Sequence, residues 1–94
     1  MPKVKPSIYE ERKRIVRSCI ASNMERYGIT DEYIAKSLNV TMVTYRKRKE
    51  NPNSFTLQEL QTLSRVLKFT PIQAASIVLG RDLTAREFRD FILH

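Results

Sequence analysis

The chain has 94 residues, 41% hydrophobic and 29% charged, with a formal net charge of +7. That length leaves room for one domain, able to bury about two thirds of its unfolded surface without staples, and the composition is too apolar for general disorder. No stretch approaches the roughly 18 apolar residues of a membrane span, MPKVKPSIYEERKR lacks a signal peptide's apolar run, and a lone Cys19 forms no internal disulfide. The expected setting is therefore the reducing cytoplasm. The charge is uneven: residues 1–49 hold 12 Lys/Arg against 5 Asp/Glu, and residues 50–94 hold 5 against 5. A polyanion contacted by one face explains this, and so does a solvated basic surface.

In chain order, residues 1–6 set Lys3 and Lys5 between prolines and read as a flexible basic arm. Such an arm is either an unstructured start or a segment that follows phosphates or a minor groove. Residues 7–94 read as a single helical domain. Ile8, Ile15, Cys19, Ile20 and Met24 recur near helical spacing, with Arg12, Lys13, Arg14 and Arg17 on other faces, predicting a helix over 8–27. Gly28 fits the left-handed residue that commonly closes a helix.

Five threonines punctuate the rest: Thr30, Thr41, Thr56, Thr70 and Thr84. Each follows an apolar residue (Ile29, Val40, Phe55, Phe69, Leu83) and stands four positions before another (Ile34, Tyr45, Leu60, Ala74, Phe88). This is the pattern of an N-cap hydroxyl accepting an orphan backbone N–H while the apolar pair clamps the approach of the chain. Glu59, Gln73 and Glu87 supply the capping-box acid or amide at three of the five, and Pro71 occupies a favoured first-turn position. The caps predict helices over 31–37, 42–50, 57–68, 71–79 and 85–93, with Gly80 closing the fifth helix of the domain. Residues 51–55, NPNSF, read as a loop. The 14-residue spacing of Thr56, Thr70 and Thr84 is not a solenoid, because the segments after them do not match. No alternating strand pattern is present.

The turn Ser37-Leu38-Asn39-Val40-Thr41 needs one residue at positive φ, and Asn39 is the non-glycine type that tolerates it best. Ala35 lets two helices approach closely, while Ile34, Leu38, Val40 and Tyr45 supply a shared apolar seam. Here the chain resembles the helix-turn-helix of the lambda-repressor/Cro (XRE) family. That family's apolar–Ala–x–x–x–Gly–apolar–Ser/Thr pattern stands as Ile34-Ala35-Lys36-Ser37-Leu38-Asn39-Val40-Thr41. The likeness covers residues 14–79, including the rhythm of FTLQELQTLSRVLKFTP. Tyr45–Pro52 followed by Phe55-Thr56-Leu57 looks like variants common in phages and prophages of Gram-positive bacteria.

The resemblance implies an all-α, five- to six-helix lambda-repressor-like domain, with the helix-turn-helix at 30–50 and a recognition helix at 42–49. It implies sequence-specific binding of double-stranded DNA by a transcriptional regulator of phage or mobile-element origin. Thr41, Met42, Val43, Thr44, Arg46 and Lys47 would face DNA, with Arg48 and Lys49 completing a run of four cations. Thr41 and the helix start suit a phosphate. Arg46 suits bidentate reading of guanine, and Lys47 suits guanine or a phosphate. Met42 and Val43 would pack on a thymine methyl unless they join the core. Two positions depart from the family. Asp31 stands where glutamine usually bridges a phosphate, and so caps its helix or steadies a nearby cation. Arg48 stands where a core residue is common, and either lays its stem on apolar surface, pairs with Glu59 or reaches the DNA backbone.

At the end of the chain, Phe88, Phe91 and Ile92 share one face with Leu93 beside them. They serve their own core or meet a second copy across a twofold axis. Family members often dimerise here, so the resemblance implies a homodimer through 84–94, with half-sites about 34 Å apart. No metal role is expected for His94, the only histidine. No enzyme or cofactor is expected either, for want of a histidine beside a nucleophile or a phosphate-cradling glycine loop. The competing reading is a helix-turn-helix scaffold acting as a protein-binding antitoxin, inhibitor or adaptor. RNA is disfavoured by the missing aromatic stacking platform.

Overall fold

A computed structural model describes residues 8–93; the arm at 1–6, His94 and the side chains of Phe91 and Ile92 lie outside the described residues. The described chain is all-α, with no strand. It runs α1 (Ile8–Tyr27), α2 (Asp31–Leu38), α3 (Met42–Glu50), a 3-10 turn at Pro52–Ser54, α4 (Leu57–Val66), α5 (Pro71–Leu79) and α6 (Ala85–Ile92).

All five threonines are N-caps in extended backbone, each hydroxyl accepting the N–H of the residue three positions on. Reciprocal capping boxes close at Thr56/Glu59 and Thr70/Gln73. At Thr84 the third-position carboxylate has a stronger suitor. Glu87 Oε2 receives Arg81 at 2.6 Å, and its other oxygen accepts the Thr84 hydroxyl at 3.2 Å. The neighbouring guanidinium and this hydroxyl hold the Glu87 carboxyl below its ordinary range.

Helix ends follow one device as well. Gly28, Asn39, Lys68 and Gly80 all have positive φ. In each case the next residue's N–H reaches back five positions: Ile29 to Met24, Val40 to Ala35, Phe69 to Ser64 and Arg81 to Ser76, at 3.0 to 3.2 Å. This closure satisfies carbonyls that a helix end leaves orphaned. Three connectors thereby share a single plan: Gly28-Ile29-Thr30, Asn39-Val40-Thr41 and Lys68-Phe69-Thr70. The left-handed residue stops one helix, the apolar residue packs on the core, and the threonine starts the next. The sequence predicted α4 to run to 68; it stops at Val66 because Lys68 takes φ 54°, a conformation that a lysine does not advertise.

The core joins Val16 and Ile20 of α1, Ile34 and Ala35 of α2, Tyr45 of α3, Phe55, and Leu63 and Leu67 of the α4 region. The predicted stripe on α1 shifts by part of a turn: Ile8 is exposed, and Val16 and Asn23 are buried instead. Val16, Ile20 and Asn23 hold i, i+4, i+7 spacing, so a polar residue occupies the core stripe. Its amide explains the placement. Asn23 Nδ2 donates to Leu67 O at 2.8 Å and to Gln73 Oε1 at 3.0 Å, and Gln73 Nε2 donates back to Asn23 Oδ1 at 2.8 Å. The same Gln73 oxygen accepts the Thr70 amide of the capping box. The buried Asn23 amide and the half-buried Gln73 amide therefore tie α1 to the connector at Lys68 and to the start of α5.

Replacing Asn23 with alanine leaves the buried Leu67 carbonyl and the half-buried Gln73 amide without this partner, which costs about 1–3 kcal/mol. Urea unfolding followed by circular dichroism should show that loss as a lower midpoint with an unchanged slope.

Candidate nucleic-acid interface

Helix α3, MVTYRKRKE, has little of its own to bury. Tyr45 is its one fully buried side chain, at 0% exposure, while Val43 is 62% exposed and Arg46 and Lys47 are exposed. At about 100° per residue, burying Tyr45 turns Val43, Arg46 and Lys47 outward. Thr44 is half-buried, and Met42 rests against the core edge. Of the two apolar residues at the helix start, Val43 therefore faces out and Met42 leans in.

The start of α3 is well ordered by its own residues. The Thr41 hydroxyl accepts the Thr44 N–H at 3.1 Å and donates to the Thr44 hydroxyl at 3.0 Å. Both functions are thus used within the first turn, so Thr41 aims the helix rather than offering a free hydroxyl. The left-handed Asn39, at φ 60° and ψ 43°, turns the chain between α2 and α3, its N–H satisfied by Lys36 O at 3.0 Å. The expectations that Asn39 takes positive φ and that Thr41 caps α3 hold here.

The four cations divide. Arg46 and Lys47 are exposed to solvent. Arg48 Nε lies 3.2 Å from Glu59 Oε2, and its Nη1 donates to Ser54 O at 2.8 Å. Lys49 Nζ lies 3.2 Å from Asp31 Oδ1 and 5.5 Å from the centre of the Tyr45 ring. Of the alternatives open for Arg48, the structure selects the pairing with Glu59. Of those for Asp31, it selects the steadied cation, which is Lys49. Three of the cations, Lys47, Arg48 and Lys49, also stand in the last turn of α3, where the helix dipole favours positive charge. Structural roles thus account for much of this run.

Around Tyr45 the electrostatics are unusual. Its hydroxyl is buried and meets hydrogen-bond geometry with no group. Burial, and then the nearby Asp31 charge, push the phenol above its ordinary value. Burial likewise pushes the Cys19 thiol up, which suits a packing role. Among the described residues no group of three His, Cys, Asp or Glu side chains could hold a metal ion, and no helix is long and apolar enough to cross a membrane.

Sequence reasoning missed two positions that shape this region. Asn23 could have been found as the polar member of an i, i+4, i+7 stripe. Lys68 carries no such signal, because lysine is not a residue type that favours positive φ and the Asn23 amide on its neighbour's carbonyl comes from 44 residues away in the chain. No family model, curated protein or solved structure matches this chain.

Tyr45→Phe removes a buried hydroxyl that lies beside Asp31 without meeting hydrogen-bond geometry, so stability at neutral pH should change by about 1 kcal/mol or less. The raised phenol predicts a sign as well. Above about pH 10 the unfolded tyrosine ionises while the folded one keeps its proton, so the wild-type protein loses stability as pH rises. Thermal melts between pH 7 and pH 11 should show a shallower alkaline decline in Tyr45→Phe.

Proposed function

We propose that this protein binds double-stranded DNA in a sequence-specific way, as a transcriptional regulator of phage or mobile-element type. In this reading α2, the Asn39 turn and α3 form a helix-turn-helix of the lambda-repressor/Cro kind, and α3 is the recognition helix. The observation that carries it is the phase of α3. Tyr45 is fully buried, and Val43, Arg46 and Lys47 are exposed on a helix whose cap and turn hold it firmly. Arg46 then reads a guanine edge by its planar fork, Lys47 meets guanine or a phosphate, and Val43 packs on a thymine methyl. Thr41 and Thr44 set the helix start. Met42 supports it from the core edge, and Arg48 and Lys49 are paired with Glu59 and Asp31.

A homodimer belongs to the same reading. Helix α5 is largely apolar, and Val78 is 83% and Leu79 53% exposed. They line a groove of about 720 Å³ between α5 and α6, with Leu83 and Phe88. Arg81, Glu87 and Asp90 give its rim both signs of charge, which suits a surface meeting its own copy. The same groove favours the second reading, a protein-binding adaptor or antitoxin that holds a different partner there.

Selection from a pool of random duplexes separates the two. A regulator enriches a preferred site, and an adaptor enriches none while retaining a protein partner. Changing Arg46 to alanine should cost about 1–3 kcal/mol at that site and relax the preference at one base pair. Lys47→Ala should weaken all sequences alike if it meets phosphate. Unchanged affinity in both variants, with helical circular dichroism intact, overturns the assignment of α3.

A further inference from the structure

Four consecutive cations on a helix point in four directions, since successive side chains stand about 100° apart. Arg46 and Lys47 go to solvent, while Arg48 and Lys49 each meet a carboxylate from a different helix. Both acids are themselves placed by helix starts. Glu59 Oε1 accepts the Thr56 amide at 2.9 Å, leaving Oε2 to face Arg48. Asp31 is the first residue of α2 and faces Lys49 across the seam. The Glu59 side chain is 13% exposed, so its pair with Arg48 is largely covered, whereas Asp31 at 36% and Lys49 at 33% meet at the edge of the protein.

We propose that Asp31 and Glu59 limit affinity for nucleic acid. They act as internal stand-ins for phosphate, holding Lys49 and Arg48 away from a duplex. The inference rests on the duplex-binding reading and names two specificity-determining residues within it. Sequence-independent attraction scales with the number of phosphates a protein neutralises, whereas base reading does not. Withholding two of four cations therefore lowers binding to arbitrary DNA while leaving Arg46 free to read a base. The ratio of specific to non-specific binding rises, and that ratio governs how a regulator finds one site among many.

The substitutions that test this keep the fold. Glu59→Gln preserves the capping box, since glutamine at the same helical position closes the box of α5 in this very chain. Asp31→Asn preserves size at the start of α2. Each variant adds one unit of positive charge, so Glu32→Gln is the control: Glu32 is exposed beside Asp31 and holds neither cation.

Fluorescence anisotropy with a labelled random-sequence duplex, over a sodium chloride series, reads the slope of log affinity against log salt. Asp31→Asn and Glu59→Gln should each steepen it by about 0.9, equal to about eightfold in affinity at 0.1 M relative to the 1 M reference. Glu32→Gln should leave the slope as in the wild type. Adding Arg48→Ala to Glu59→Gln should abolish the gain. The inference is overturned if Asp31→Asn and Glu59→Gln match Glu32→Gln. It is equally overturned if Arg48→Ala alone flattens the wild-type slope, for Arg48 would then already serve the duplex. The assay needs only attraction to a polyanion. Failure to enrich a site in the selection experiment therefore overturns the regulator reading separately, with the slope comparison still decided on its own terms.

Discussion

The burial of Tyr45 is the constraint on which the candidate face depends. Helix α3 brings one fully buried side chain to the core, so a single residue sets the rotation of the helix about its own axis. A turn of 100° would bring Arg46 or Thr44 to that position and put a guanidinium or a lone hydroxyl where an aromatic ring belongs. The ring accepts a cost for the position, since its hydroxyl is buried beside Asp31 without a well-formed hydrogen bond. What it secures is direction: Val43, Arg46 and Lys47 all face away from the protein.

Tyr45 fixes rotation, and the connectors fix angle. The Asn39-Val40-Thr41 turn does for α2 and α3 what Gly28-Ile29-Thr30 and Lys68-Phe69-Thr70 do elsewhere. An apolar residue that closes one helix and staples the next leaves little freedom between them. The Asn23–Gln73 amide pair then binds the first of these helices to the last such connector. The chain thereby holds α1 through α5 as one body, although among the described helices α1 alone exceeds ten residues.

Charge shows a second consequence of this geometry. The basic half of the sequence is not a uniformly basic surface, because acids from neighbouring helix starts meet part of it. Asp31 and Glu59 stand in first turns, where the dipole already favours them, and the fold then sets each against a cation from α3. Arg14 is similarly met by Glu11 at 2.6 Å. The cations of α3 that meet no acid among the described residues are Arg46 and Lys47, which stand just before the paired Arg48 and Lys49.

Helix starts and stops were legible because they are local. A threonine hydroxyl reaches an N–H three residues on, and a glycine or asparagine relieves its own backbone, so Thr30, Thr41, Thr56, Thr70, Thr84, Gly28, Asn39 and Gly80 announce themselves within a few positions. The expected outward placement of Arg46 and Lys47 came from the resemblance to the lambda-repressor/Cro family. The left-handed Lys68, the buried Asn23 and the choice among partners for Arg48 and Lys49 did not. Asn23 meets Leu67 44 residues away, and Lys49 meets Asp31 18 residues away. Such meetings depend on how helices cross, which packing of the whole core decides and no short window contains. The sequence by itself determined that this chain is a set of capped helices with a cationic third one. Only the tertiary structure decided which of those cations remain available, because an ion pair needs both charges brought together in space.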